Sequence, residues 1–122
     1  MKIRIQRNSV RFRLSRTDIE TLSIEGYLEE VTPFGDTNFI YAVKKSAGIS
    51  ELSAEFQNGK ILLQLPEHLT QGWADNNVVG HSGEMSVGKI DTLKLLIEKD
   101  FKCLDNVTED QSDNYENPAK TC

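Results

Sequence analysis

Leu52-Ser53-Ala54-Glu55-Phe56-Gln57-Asn58-Gly59-Lys60-Ile61-Leu62-Leu63-Gln64-Leu65 is the stretch whose reading decides the fold. Asn58-Gly59 tolerates positive φ and suits a two-residue type I′ turn, so the flanking runs pair as an antiparallel hairpin. The register predicted from that turn sets Phe56 opposite Ile61, Ala54 opposite Leu63 and Leu52 opposite Leu65, all toward a core, with Glu55 outward. Pro66 lacks an amide hydrogen and stops the ladder. Leu69 and Trp73, four apart, predict a short helix near 67–74 lying on that sheet.

A second hairpin opens the chain. Ile3 and Ile5, then Val10, Phe12 and Leu14, alternate with polar residues around a break at Arg7-Asn8-Ser9. With Asn8-Ser9 as the loop, Ile5 faces Phe12, Ile3 faces Leu14, and Arg4 stands opposite Arg13 on the other surface. Thr17-Asp18-Ile19-Glu20 reads as a capping box for a helix over 18–25 that Gly26 ends. Strand character resumes at 27–32 until Pro33, and 38–44 is apolar on both faces, as in a central strand. Further strands are expected at 84–87 and 92–101. The expectation is an α+β single domain over 1–104, with a mainly antiparallel curved sheet, closure into a barrel being one variant, and two short helices. The expected core includes Ile3, Ile5, Phe12, Leu14, Leu22, Tyr41, Phe56, Leu63, Leu69, Leu95 and Ile97.

Charge is distributed unevenly. The net charge is -5 over 122 residues, yet all five arginines, Arg4, Arg7, Arg11, Arg13 and Arg16, lie with Lys2 in the first sixteen residues, among which there is no acid. Residues 105–122 hold Asp105, Glu109, Asp110, Asp113 and Glu116 against Lys120 alone. This acidic, irregular C-terminal tail is expected to dock on the domain. Fully extended it reaches about 60 Å, against a radius of gyration of roughly 14 Å for a domain of this size. Such polarity reports on association or intramolecular docking.

With 38% hydrophobic and 27% charged residues the composition is that of a soluble protein. No run approaches the length of a bilayer span, and the cationic start lacks the apolar region of an export signal, which places the chain in the cytoplasm. Gly83-Glu84-Met85-Ser86-Val87-Gly88-Lys89 spells most of a phosphate-binding loop, but Ile90 stands where a hydroxyl is needed and a strand follows where a helix is needed.

Candidate binding residues are Arg4, Arg11 and Arg13, which could take a protein or a small anionic ligand. The face lacks aromatic residues for base stacking and the net charge is negative, which argues against nucleic acid. The alternative is a metal site, or a metal-dependent enzyme, using Cys103, Cys122 and a nearby carboxylate or His81. Unlinked thiols are the first expectation for this pair, a bridge the second and metal the third. The chain carries no catalytic motif of the serine-hydrolase or zinc-protease kind.

Lys2-Ile3-Arg4-Ile5-Gln6, Asn8 to Leu14, Glu98 to Leu104, Glu109 to Tyr115, and Asn117-Pro118 before Cys122 together resemble a family of short, uncharacterised bacterial proteins. The resemblance spans nearly the whole chain. It implies a bacterial cytoplasmic setting and carries over no catalytic residue. Where that family tends to have glycine, this chain has Arg7.

Overall fold

The structure, a computed structural model, describes residues 1–101. Among the described residues, eight strands form two four-stranded sheets, and neither closes into a barrel. The strands are β1 (Lys2–Gln6), β2 (Ser9–Leu14), β3 (Tyr27–Phe34), β4 (Thr37–Ser46), β5 (Ser53–Gln57), β6 (Lys60–Pro66), β7 (Gly80–Val87) and β8 (Asp91–Lys99). One helix, α1 (Arg16–Glu25), follows β2. The α+β class stands, with the sheet contribution dominant.

Each sheet is built from two hairpins joined side by side. The β1–β2 and β7–β8 hairpins meet through a parallel β2–β8 pairing, giving the order β1-β2-β8-β7. The β3–β4 and β5–β6 hairpins meet through a parallel β4–β6 pairing, giving β3-β4-β6-β5. Thus the first and last hairpins of the described chain share one sheet and enclose the two middle hairpins in sequence. Inward residues of both sheets make one core, with Val10, Phe12, Leu14, Leu95 and Ile97 against Val43, Ile61, Leu63 and Leu65, and Ile19 and Leu22 of α1 at one end.

The Asn58-Gly59 turn forms as its residues dictate, with Asn58 at φ 53 and Gly59 at φ 75. Ala54 faces Leu63 and Phe56 faces Ile61. Leu52 is buried but precedes the paired residues, so its pairing with Leu65 does not form. Phe56 is on the inward side yet 65% exposed, because it lies on an edge strand beyond the cover of the other sheet. Ile5, also on an edge strand, is 54% exposed. Both are corrections to the expected core; Ile3, Tyr41 and Leu69 are partly buried against it.

The opening hairpin turns one residue earlier than expected. Gln6 pairs with Ser9, so Arg7 and Asn8 are the loop, Ile3 faces Phe12, and Arg4 faces Arg11 rather than Arg13. Arg7 takes φ 53 to make this turn. That is the left-handed region where glycine is at ease and a side chain is not.

The cap of α1 also moves. Ser15, not Thr17, is the N-cap: its hydroxyl accepts from the Asp18 amide at 3.2 Å while the Ser15 amide donates to Asp18 Oδ2 at 2.9 Å. Glu20 instead pairs with Arg16 one turn back. At the other end Gly26, at φ 78, donates its amide to the Leu22 carbonyl as expected. The predicted second helix is only a 3₁₀ turn over Glu67–Thr70. Trp73 is held by burial and by its indole N–H donating to the Val78 carbonyl at 2.9 Å, which removes the need for helical spacing to Leu69. Pro33 does not stop β3, since β3 is an edge strand where a missing amide hydrogen is tolerated.

Candidate functional site

The alternation of β1 and β2 that buries Ile3, Val10, Phe12 and Leu14 must send Lys2, Arg4, Arg11 and Arg13 to the opposite surface. The registers extend this surface across all four strands of the sheet. One row runs Lys2, Arg13, Glu98, Gly80; the next Arg4, Arg11, Leu96, Ser82; the third Gln6, Ser9, Lys94, Glu84. Arg4, Arg11 and Arg13, taken from the sequence as binding residues, therefore share one face, and β8 contributes Lys94, Glu98 and Leu96 to it.

Directly opposed like charges across a strand pair cost several tenths of a kcal/mol. The fold sets carboxylates against part of that cost. Glu98 Oε1 accepts from Arg13 Nε at 3.0 Å and lies 3.6 Å from Arg11 Nε. Lys2 Nζ is 2.9 Å from Asp100 Oδ2, and the Asp100 amide donates to the Leu14 carbonyl at 2.9 Å. These acids arrive by the parallel β2–β8 pairing, which sequence reasoning missed. The signal for them was present in Glu98 and Asp100, but only long-range strand order places them here. Arg4 and Arg11 each have a further interaction partner. Arg16 belongs to a different surface, pairing with Glu20 and Asp75.

At the sheet's end the Met1 α-ammonium is enclosed between Asp18 Oδ2 at 2.9 Å and Glu30 Oε1 at 3.4 Å, and the Met1 carbonyl accepts from the Tyr41 hydroxyl at 3.2 Å. Burial opposes the ammonium, yet the hydrogen bond and charge of Asp18, with Glu30 behind, outweigh it and raise the pKa. Burial likewise opposes the Asp18 carboxylate, but the ammonium and Ser15 hold its pKa below the usual range. Burial first, then these acids, push the Tyr41 phenol up.

His81, considered from the sequence as a metal ligand, lies on β7 with its ring 4.8 Å from that of Trp73 and its Nε2 buried without a hydrogen-bond partner. Burial lowers its pKa; a Leu69 backbone hydrogen bond partly offsets this, and His68 and Lys99 add to the lowering. Cys103 and Cys122 lie outside the described residues, among which no three His, Cys, Asp or Glu side chains converge on a metal position. The acidic segment 105–122 also lies outside them.

The phosphate-loop spelling resolves into the end of β7, the Gly88-Lys89 turn and β8, so no helix terminus stands there to hold a phosphate. A separate cleft of about 240 Å³ opens where β4 and β6 end side by side, lined by Ser46, Gly48, Glu67, His68 and Gln71 among others. The Ser46 hydroxyl donates to Gln64 Oε1 at 3.1 Å, which commits it to an amide rather than to a base. No helix among the described residues is long and apolar enough to cross a membrane.

No curated protein and no solved structure matches the chain. Residues 1–119 match DUF7009, described as a family of unknown function, and with nearly its whole length matched the chain belongs to that family.

Proposed function

We propose that this is a small cytoplasmic binding or accessory module of bacteria, non-catalytic, whose outer β1-β2-β8-β7 face docks an acidic peptide segment. The observation that carries this is the charge of the face. Among the described residues its outward side holds Lys2, Arg4, Arg11, Arg13 and Lys94 against Glu84 and Glu98 within the strands. A fixed surplus of cations on one sheet face selects negative partners and speeds their encounter. Guanidinium groups also suit carboxylates geometrically, since each can donate a bidentate pair of N–H bonds to the two carboxylate oxygens.

Arg4 and Arg11 are already engaged, so an incoming segment competes rather than fills a vacancy. The competitor we assign is residues 105–122, whose five acids follow the last described strand in sequence. A partner would displace this segment and take the same cations.

The test is binding of poly-L-glutamate by the full-length protein at low salt. Neutralising the five acids (D105N, E109Q, D110N, D113N, E116Q) should tighten binding about tenfold by removing the internal competitor, and salt should weaken it. Adding R4Q and R11Q should return it to background. Equal weak binding by all three proteins would overturn the proposal.

A further inference from the structure

The hairpin turns gather at one end of the two sheets. The parallel β2–β8 and β4–β6 joins bring Arg7-Asn8 to the same end as Gly88 to Ile90, and Gly35-Asp36 to the same end as Asn58-Gly59. Two contacts between β5 and β7 show that the sheets agree in direction. A side chain at Gly83 would meet Leu52 Cβ at 3.3 Å, and the Ala54 amide donates to Met85 Sδ at 3.3 Å. A step of two along β5 thus matches a step of two along β7, and both strands run toward their turns. On the opposite side Met1 meets Glu30. Four residues nearer the turns on each strand, Ile5 and Phe34 stand level, both at inward positions. The far end of the core, where β2 and β6 finish, is closed by Ile19 and Leu22 of α1 and bears the 3₁₀ turn. No helix among the described residues lies over the turn end. An aromatic run instead leads out of the core toward it, from Phe12 through Tyr41 and Phe39 to Phe56, with ring centroids 6.4, 6.5 and 6.5 Å apart.

We propose that this open end of the core is the contact surface for a second copy of the chain, the two copies meeting turn end to turn end about a two-fold axis. Each of the four hairpins presents one large apolar residue within two positions of its turn. These are Ile5, Phe34, Phe56 and Ile90, which are 54, 68, 65 and 92% exposed. Single exposed apolar residues are ordinary, but one on every hairpin at a shared end makes a set of on the order of 500 Å². A two-fold contact would bury about 1,000 Å² of it from both copies, near the lower bound for a specific interface, so the dimer is reversible. Charge selects the occupant. Within or beside the turns stand Arg7 and Lys89 against Asp36 and Asp91, two of each sign, while Lys60 is turned to the Tyr27 ring at 4.8 Å. A second copy brings cations and acids that can meet these acids and cations in return. An anionic lipid surface or an acidic peptide would attract one pair and repel the other. This end is distinct from the outer face of Arg4, Arg11 and Arg13, which leaves that face uncovered in the dimer.

Sedimentation equilibrium of the full-length protein, from about 5 to 500 μM, tests this. The mass should rise from one chain toward two with a dissociation constant on the order of 10–100 μM. Phe34→Glu with Ile90→Glu should keep the protein monomeric throughout that range. Should the pair disturb folding, Ile90→Glu alone, in a turn, should weaken association about fivefold or more while the urea midpoint read by Trp73 fluorescence stays put. Amide NMR shifts on dilution locate the contact: they should concentrate at residues 5–8, 34–36, 56–59 and 88–91 and spare Arg11, Lys94 and Leu96. A monomer at 500 μM overturns the proposal, as does a dimer whose dilution shifts lie elsewhere or which survives both substitutions. Binding of the monomer to phosphatidylglycerol vesicles that is lost in the Phe34→Glu, Ile90→Glu protein would also overturn it, assigning the end to a lipid surface.

Discussion

Arg13 on β2 and Glu98 on β8 are paired both in strand register and through their side chains, with 3.0 Å between Nε and Oε1. Eighty-five residues apart in sequence, they close the sheet that contains the first and last hairpins. Glu98 is 18% exposed and also lies near Arg11, so it sits between two arginines of this face. Glu98→Gln should lower stability by about 1 kcal/mol, less than for a buried pair because Arg13 is 42% exposed. It should also tighten poly-L-glutamate binding. A urea midpoint and a binding curve measure the two effects, and an unchanged midpoint would deny Glu98 a part in holding the sheet.

Arg7 is a non-glycine residue forced to φ 53 by a two-residue turn. Placing an L side chain there costs about 1–2 kcal/mol, part of which is regained when Gly replaces it, less the backbone entropy that Gly loses on folding. Arg7→Gly should therefore stabilise the protein by about 1 kcal/mol, raising Tm by roughly 3–5 °C. Arg7→Ala, which keeps the strain and loses only the charge, should not. Equal effects of both substitutions on calorimetric Tm would count against turn strain.

How far the fold was legible follows from how local its causes are. The Asn58-Gly59 hairpin was readable because two adjacent residues fix its turn and the alternation fixes its faces. The opening hairpin was displaced by one residue because nothing in Arg7-Asn8-Ser9 announces that an arginine will take positive φ, and that shift exchanged Arg13 for Arg11 as the partner of Arg4. The two parallel joins left no local trace. Each depends on which strands lie next to one another, and Glu98 and Asp100 could not be assigned to the cationic face without that order. The arginines themselves were visible as a face, since strand alternation alone gathers them.

Asp18 serves two ends at once, completing the cap of α1 and holding the Met1 ammonium. Asp18→Asn should cost about 2 kcal/mol, about half from the cap and half from the lost charge on an enclosed ammonium. The pH dependence has a definite sign. The lowered carboxyl pKa gives stability that is present above about pH 4 and lost as pH falls through that range. The raised ammonium pKa gives stability present below about pH 8 and lost as pH rises beyond it. Stability measured by urea unfolding across pH should be flatter on both sides in Asp18→Asn, and a variant that merely shifts the whole curve downward would separate the cap from the ion pair.

His81 supplies the last pH dependence, on the acid side like Asp18 but beginning at higher pH. Its ring rests against Trp73, its Nε2 is buried without a partner, and the charged or titratable groups that bear on it are His68 and Lys99, both of which oppose a second positive charge. Protonation in the folded state is therefore disfavoured, while the unfolded chain binds a proton near pH 6.5. Because the unfolded state holds more protons below that point, this contribution is fully present above about pH 6.5 and declines as pH falls, by at most about 1.4 kcal/mol per unit. His81→Phe keeps a planar ring against Trp73 and removes the titration, so it should lessen the decline in stability between pH 6.5 and 5 relative to the wild type. Trp73 fluorescence during urea unfolding reports this directly, since the indole is the only one in the chain. An identical slope in both proteins would mean that the imidazole finds water or a carboxylate when it charges, and that the segment around Trp73 opens at little cost.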